Sequence, residues 1–222
     1  SKHKEVAIDL ETKDPDLIKM GSGSVTGKGH VTGIAVAVEG WSAYYPIAHE
    51  GGGNMDRDRV LSWFREVMKG DSIKIFHNAM YDMSWIITLG VPELNGRIID
   101  TMIATALVDE NKRRYDLNTC SREYIGQGKD EGVLYATAKE WGVDAKAEMY
   151  KLPAMYVGNY AEKDAELTYY LWQELKQRIQ QQDLEAIFKL ETDLFPCFVA
   201  MRHKGVRVDE ELAHKYKKEL VD

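Results

Sequence analysis

The order in which strand-like and helix-like segments follow one another constrains the fold of this chain most strongly. Three β-rich segments come first, at residues 5–10, 31–38 and 41–47, and the last two are separated by a Glu-Gly pair typical of a hairpin. Short strand-like runs at 73–76 and 98–99 then alternate with helical patterns. Three strands in meander order, followed by strand–helix alternation, predict an α/β fold with a mixed sheet flanked by helices.

Helical spacing of apolar residues predicts the remaining elements. Helices are expected at about residues 56–69, 79–89, from 101 onward, 117–125, 132–141, 160–181 and 184–202. The polar, glycine-bearing stretch Asp14–Gly29 predicts a long surface loop, and it fails the P-loop pattern because Gly29 stands where Ser or Thr is required. Near the end of the chain we expect a short strand at Val206–Val208 and a new helix that runs to Asp222.

The charge and hydropathy of the chain place only weak limits on the kinds of partner that it can have. A formal net charge of −7 argues weakly against nucleic acid, because phosphate binding uses Lys and Arg. A site that holds metal ions must itself be rich in carboxylates, however, and the ions then present positive charge to phosphate. No apolar run approaches the roughly 20 residues that a membrane span requires, so no membrane partner is expected.

Asp9 and Glu11 lie at the end of the first predicted strand. Side chains two apart on a strand project from the same face, so these carboxylates lie side by side and repel each other unless a cation separates them. Hard oxygen ligands favour Mg²⁺ or Mn²⁺. An exposed strand end explains the same pair without any metal. The spacing recurs at 183–185 and 209–211, where no apolar strand precedes it and solvated helix charges are expected.

A second acidic motif, Asn78-x-x-Tyr81-Asp82, directly follows the predicted strand at 73–76 and opens a helix. Asp82 therefore stands at the carboxyl end of a strand, where α/β proteins usually build their sites. Helix capping by Asn78 is the structural alternative. A similar spacing that ends at Asp116 follows no strand, so we do not expect Asp116 in the site.

A third motif, Tyr160-x-x-x-Asp164, places a phenol and a carboxylate one turn apart on the same face of a helix. Alone, such a pair is more often a surface contact. In order with the other two motifs, it predicts acids from a strand, a strand end and a late helix that converge on one pair of metal ions.

These three motifs resemble those of the DEDD superfamily of exonucleases, and the tyrosine of the third motif matches the DEDDy subgroup. The segment Ile99–Met102 and the helix after it are similar to proofreading domains of family A DNA polymerases. The segment 198–211 resembles the junction between the exonuclease and polymerase parts of those enzymes. The segment 4–17, the long loop and the segment 46–54 look most like bacteriophage members.

The resemblance implies a ribonuclease H-like fold, with a 3′→5′ exonuclease domain at residues 1–190 and the start of a truncated polymerase junction at 191–222. A frayed native terminus is the alternative for the last helix. The implied activity is metal-dependent hydrolysis of single-stranded or frayed DNA 3′ ends to nucleoside monophosphates, as in proofreading. The polymerase domain is expected on the same natural chain, in the cytoplasm of a bacterial or phage-infected cell.

The same resemblance implies a role for each motif residue. Two divalent ions, Mg²⁺ or Mn²⁺, would be held by the four carboxylates of Asp9, Glu11, Asp82 and Asp164. Asp82 would act through a water shell. Tyr160 would orient the attacking water. Contacts to the terminal nucleotides are implied for Thr12, Asn78, Tyr81 and Arg114. An apolar wedge between the last two bases is also implied, and residues 13–17 do not identify it.

Two alternative functions remain open at this point. An RNA-trimming DEDDy exonuclease would carry the same motifs, because they bind metal and phosphate rather than sugar. A catalytically inactive exonuclease-like module that only binds nucleic acid is the second alternative. The polymerase-like segment 198–211 favours DNA, and the presence of every motif residue favours an active enzyme.

Overall fold

The computed structural model describes residues 3–91 and 95–221. These residues include five strands, which form one sheet. Its strands are β1 Glu5–Lys13, β2 His30–Val38, β3 Trp41–Pro46, β4 Ile73–Phe76 and β5 Ile98–Asp100. The strand order is β3-β2-β1-β4-β5, with antiparallel pairing among β1–β3 and parallel pairing from β1 through β4 to β5. The mixed sheet predicted from the sequence is confirmed.

Helices flank this sheet. They are α1 Leu17–Met20, α2 Gly23–Thr26, α3 Arg57–Lys69, α4 Ala79–Thr88, α5 Thr101–Val108, α6 Leu117–Ile125, α7 Gly132–Trp141, α8 Ala154–Gln181, α9 Glu185–Asp193, α10 Phe195–Lys204 and α11 Glu210–Val221, with a short 3₁₀ helix at Met149–Lys151. Within the described ranges, none of the helices combines the length and the apolar character needed to cross a membrane.

Both faces of β1 are covered by hydrophobic cores. Ile8 and Leu10 belong to a core shared with α3, α4 and α10. Ala7 belongs to a second core, shared with α5, α6 and α8. Because side chains alternate along a strand, Asp9 and Glu11 share the face of Ala7 and therefore point toward α8, which carries the third motif.

The end of β1 departs from regular pairing beside Glu11. Glu11 pairs with Gly33 on β2, and the register shifts between Glu11 and Thr12. A side chain at position 33 would displace Tyr44, because a Cβ there would lie 2.0 Å from the Tyr44 hydroxyl oxygen. Such bulges redirect side chains, and beyond this one Thr12 and Lys13 still pair with Val31 and His30 of β2.

Three predicted elements differ from the structure in their extent or continuity. The expected loop at Asp14–Gly29 contains the short helices α1 and α2, which local turn chemistry forms without an apolar repeat. The expected helix at 160–181 begins earlier, at Ala154, directly after Pro153. The expected helix at 184–202 is two helices, since Pro196 lacks the N–H that a continuous helix needs and lies in the first turn of α10.

The predicted strand at Val206–Val208 is wrong. These residues are irregular, and both valines are largely exposed, at 89% and 66%. A strand needs a neighbour with which to form backbone hydrogen bonds, and the described sheet ends at β3 and β5.

The C-terminal helices differ in how they pack. Phe195 and Val199 of α10 are buried in the core that also contains Ile8 and α4, whereas α11 has no buried residue. The boundary at residue 190 stays a prediction, and the final residue of the predicted helix, Asp222, lies outside the described residues.

Candidate metal centre

Three carboxylates from distant parts of the chain meet at one end of the sheet. Asp9 and Glu11 of β1 and Asp164 of α8 each offer an oxygen, and these atoms all lie within 4.8 Å of one another. Asp164 is buried, and the two acids of β1 are half-buried. They meet because α8 packs across the face of β1 on which Asp9 and Glu11 lie.

Asp82 lies beside this cluster, on the first turn of α4. It is buried, and its Oδ1 accepts a hydrogen bond from the backbone N–H of Leu10 at 3.1 Å. β4 pairs with β1 only over Glu5–Ala7, so the side chain of Asp82 takes the place of a strand partner for Leu10. Burial raises the pKa of Asp82, and the negative charge of Asp9 raises it further, as expected for neighbouring carboxylates.

Burial disfavours the charged form of every acid in the cluster, and repulsion between carboxylates adds to this effect for Asp9 and Glu11. Burial, followed by the negative charge of Asp164, raises the pKa of Asp9 to about 7. Burial and then the charge of Asp9 hold the pKa of Glu11 well above its usual value. The pKa of Asp164 is also raised by burial, against the lowering effect of the Lys129 ammonium.

The donor set of this cluster fits a divalent cation. Asp164 Oδ1 is buried and has no hydrogen-bond partner among the described residues, although a buried polar atom normally has one. Carboxylate oxygens are the ligands that Mg²⁺ and Mn²⁺ prefer, and a cation would offset the repulsion that raises the pKa values.

Tyr160 lies next to the carboxylates and is contacted by two lysines. Its hydroxyl oxygen accepts hydrogen bonds from Lys146 Nζ at 3.0 Å and from Lys129 Nζ at 3.2 Å. Lys129 Nζ also contacts Asp164 Oδ2 at 2.5 Å. Burial and the nearby charge of Glu11 raise the pKa of Tyr160, so the phenol is protonated at neutral pH. No sequence pattern identifies either lysine, because both reach the site from irregular segments.

Asn78 precedes α4 in an unusual backbone conformation. Its φ is 69°, in the left-handed region that Asn tolerates better than most residues, and its side chain makes no capping hydrogen bond. The buried Asp100 takes the capping role instead, accepting from the N–H groups of Asn78 at 3.0 Å, Ala79 at 2.8 Å and Met102 at 2.8 Å. The position of Asp100 between a strand and a helix predicts from the sequence that it caps α5. Its hydrogen bonds to the start of α4 depend on the tertiary structure.

Thr12 and Tyr81 form a polar contact at the edge of the site. The Thr12 and Tyr81 hydroxyl oxygens are 2.7 Å apart, and Tyr81 also donates to Asp14 Oδ2 at 3.0 Å. A neighbouring open cavity of about 470 Å³ is lined by α1, α2 and the residues between them, by the start of α4 and by one residue of α10. Its lining includes Leu17, Met20, Val25, Asn78, Tyr81 and Arg202.

Arg114 is exposed in the turn between α5 and α6. Burial acts to raise the pKa of Asp116, but hydrogen bonds from Thr119, and then the charge of Arg114, lower it below its usual value. The turn is tied to the end of β4, because His77 Nε2 donates to the Tyr115 carbonyl at 2.8 Å. Asp116 caps α6 by accepting from the Thr119 N–H at 3.0 Å. The structure thus gives Asp116 a local helix-capping contact.

Comparison with known proteins adds a family and several relatives. A family model described as 3′-5′ exonuclease matches residues 1–180. A DNA-directed DNA polymerase of Pseudomonas phage M6 is 38% identical over 212 residues, which cover 93% of this chain and 32% of that polymerase. The chain spans about a third of the length of the first curated relatives that it matches.

Solved structures show the same fold at low sequence identity. Brucella melitensis NrnC with bound Mg²⁺ has a TM-score of 0.65 and 18% identity, covering 92% of this chain and 87% of that one. Escherichia coli RNase D, an exoribonuclease, has a TM-score of 0.62 and 16% identity, covering 92% and 46%. The ribonuclease H-like fold predicted from the sequence is confirmed.

Proposed function

The chain belongs to the 3′-5′ exonuclease family found in DNA polymerases of the polymerase I type, and we propose from this premise that it hydrolyses DNA 3′ ends with the help of two divalent metal ions. The substrate would be a single-stranded or frayed end, and the products nucleoside 5′-monophosphates.

One observation carries this proposal. The oxygens of Asp9, Glu11 and Asp164 converge within 4.8 Å, and Asp164 Oδ1 is buried without a partner among the described residues. These three residues would hold an ion directly, while Asp82, held by Leu10, would act through a water shell. Divalent ions bound in such sites activate a water nucleophile and neutralise charge on phosphate.

The chain's own groups would orient the reactants around the carboxylates. Tyr160 lies one helical turn before Asp164, and its protonated hydroxyl can hydrogen-bond to the attacking water. The backbone N–H of Leu10 fixes Asp82 on the sheet side of the cluster. Positioning of this kind is a large part of the catalysis that a phosphoryl-transfer site supplies.

The cavity beside Tyr81 would receive the terminal nucleotides. Its apolar wall, which includes Leu17, Met20 and Val25, suits a base, while Asn78 and Tyr81 offer polar groups for sugar and phosphate. We propose α1 as the source of the apolar wedge that residues 13–17 do not identify. Bases that stack on side chains must leave the duplex, which costs least at a mispaired end.

The proofreading role and the polymerase domain on the same natural chain are part of the proposal. The relative from Pseudomonas phage M6 is a DNA polymerase about three times as long as the matched region, which supports DNA as the substrate. A DNA polymerase DpoZ of Salmonella phage PMBT28 and a DNA polymerase I of Pseudomonas aeruginosa are also similar to this chain, which supports the cytoplasm of a bacterial or phage-infected cell as the place of action.

Digestion of 5′-labelled oligonucleotides tests the proposal. Matched single-stranded DNA and RNA, and a duplex with a paired or mispaired 3′ end, are incubated with the protein and Mg²⁺ or Mn²⁺, with EDTA as the control. We expect a ladder that shortens from the 3′ end, faster on DNA and on the mispaired end. Clear preference for RNA would identify an RNA-trimming enzyme, and no ladder with either metal would identify an inactive binding module.

A further inference from the structure

Two lysines outside the predicted site converge on the hydroxyl of Tyr160. Lys129 lies in the connection between α6 and α7, and Lys146 follows α7. Their Nζ atoms lie 3.2 Å and 3.0 Å from the Tyr160 hydroxyl oxygen. The two residues therefore reach one atom from different segments of the chain.

The chemistry of the contact fixes the orientation of the phenol. An ammonium group can only donate hydrogen bonds, so the phenol oxygen accepts from both lysines and its own proton must point elsewhere. Both ammonium groups also lie against the ring of Tyr160, with Nζ at 4.3 Å from the centroid for Lys146 and 5.1 Å for Lys129. Hydroxyl and ring are therefore both held by cations.

Each lysine is itself anchored. Lys146 Nζ pairs with Glu131 Oε1 at 2.5 Å, and Lys129 Nζ pairs with Asp164 Oδ2 at the same distance. The backbone N–H of Lys129 donates to Asn118 Oδ1 at 3.0 Å, which ties its segment to α6. Groups held in this way position a neighbour at little further entropic cost.

We propose that Lys129 and Lys146 are positioning residues of the exonuclease reaction, which hold the Tyr160 hydroxyl in the orientation that it needs toward the attacking water. The inference rests on the proposed function. Lys146 gives the cleaner test, because Lys129 Nζ pairs directly with a proposed metal ligand, whereas Lys146 Nζ contacts Tyr160, Glu131 and the ring of Tyr135.

Steady-state kinetics on a single-stranded DNA oligonucleotide in Mg²⁺ tests this inference. We expect Lys146→Met to lower kcat by about tenfold, the effect of losing one charge-assisted hydrogen bond, with KM within about twofold of the wild type because the lysine acts on the hydroxyl rather than on DNA. Lys146→Arg should recover part of the loss. The matched control is Lys163→Met, which removes a lysine of α8 that pairs with Glu166, and it should leave kcat unchanged.

A double-mutant cycle with Tyr160→Phe decides whether the lysine acts through the hydroxyl. We expect Lys146→Met to cost less than about twofold once the hydroxyl is absent. An equal loss with and without the hydroxyl overturns the inference, as does an unchanged rate in Tyr160→Phe alone. If Lys146→Met does not fold, Lys146→Gln replaces it in the same cycle. Absence of cleavage by the wild type would instead defeat the proposed function.

Discussion

The backbone N–H of Leu10 donates a hydrogen bond to Asp82 Oδ1 across 3.1 Å, joining residues 72 positions apart in the chain. This contact ties the helix that carries the second acidic motif to the strand that carries the first. β4 pairs with β1 only as far as Ala7, so the backbone N–H of Leu10 has no strand partner on that side. The Asp82 carboxylate accepts its hydrogen bond instead. The fourth acid is therefore fixed relative to Asp9 by the backbone itself.

We expect Asp164→Asn to reduce cleavage by about 1,000-fold or more, because the variant removes a charged oxygen ligand of the two proposed metal ions. The fold should survive, since one repelling charge is lost from a buried cluster. Rates on 5′-labelled DNA and a thermal unfolding scan in EDTA check both parts. Asp116→Asn is the control, because Asp116 caps α6 and Asn caps helices equally well. Near-wild-type activity of Asp164→Asn would remove Asp164 from the site.

Stability without metal should fall as the pH rises through the range in which Asp9 ionises. Its pKa is raised to about 7 by burial and by Asp164, so the folded protein keeps a proton that the unfolded chain releases. This destabilises the fold progressively between about pH 4 and pH 7. Asp9→Asn should therefore raise the unfolding temperature in EDTA by about 3 °C or more at pH 8, and by less at pH 5.

Mg²⁺ should offset the loss of stability that follows the ionisation of Asp9, because the metal binds the ionised carboxylates. We expect the metal to raise the unfolding temperature of the wild type more at pH 8 than at pH 5, since protonation competes with binding. Differential scanning fluorimetry with and without Mg²⁺ at both pH values measures this. A metal-induced shift that is equal at the two values, or that persists in Asp9→Asn, contradicts the proposed ligand set.

Asp100→Ala should weaken both the fold and the activity. The carboxylate accepts three backbone hydrogen bonds at the starts of α4 and α5, and losing buried caps of this kind costs about 2 kcal/mol or more. Denaturant unfolding measures the loss, and cleavage rates at a temperature where the variant is folded measure its effect on Asn78 and Asp82. Asp100→Asn retains one acceptor oxygen and should lose less; equal losses in both variants would argue against the capping role.

Met20→Ser should raise KM for single-stranded DNA several-fold and leave kcat nearly unchanged, because it removes apolar surface from the wall of the proposed nucleotide cavity. Met20 is 60% exposed, so stability should change little. Ile18→Ser provides a control on the same helix, since Ile18 is 95% exposed and does not line the cavity. Identical kinetics of the two variants would exclude this wall from substrate binding.

Prediction from the sequence succeeded where the signal was local and failed where it depended on partners. Alternation and helical spacing located the five strands and most helices, and Pro196 could have indicated the break between α9 and α10. The strand expected at Val206–Val208 failed, because β-propensity describes residues that suit a sheet and does not supply a neighbouring strand.

The sequence by itself determined the fold class and the order of the acidic motifs, because hydrophobic periodicity and short-range spacing depend only on residues that are close together in the chain. Only the tertiary structure decided that Asp9, Glu11 and Asp164 meet within 4.8 Å, that Leu10 holds Asp82, and that Lys129 and Lys146 reach Tyr160. These contacts join segments far apart in the chain, and their distances follow from how α8 and the connections around α7 pack against the sheet.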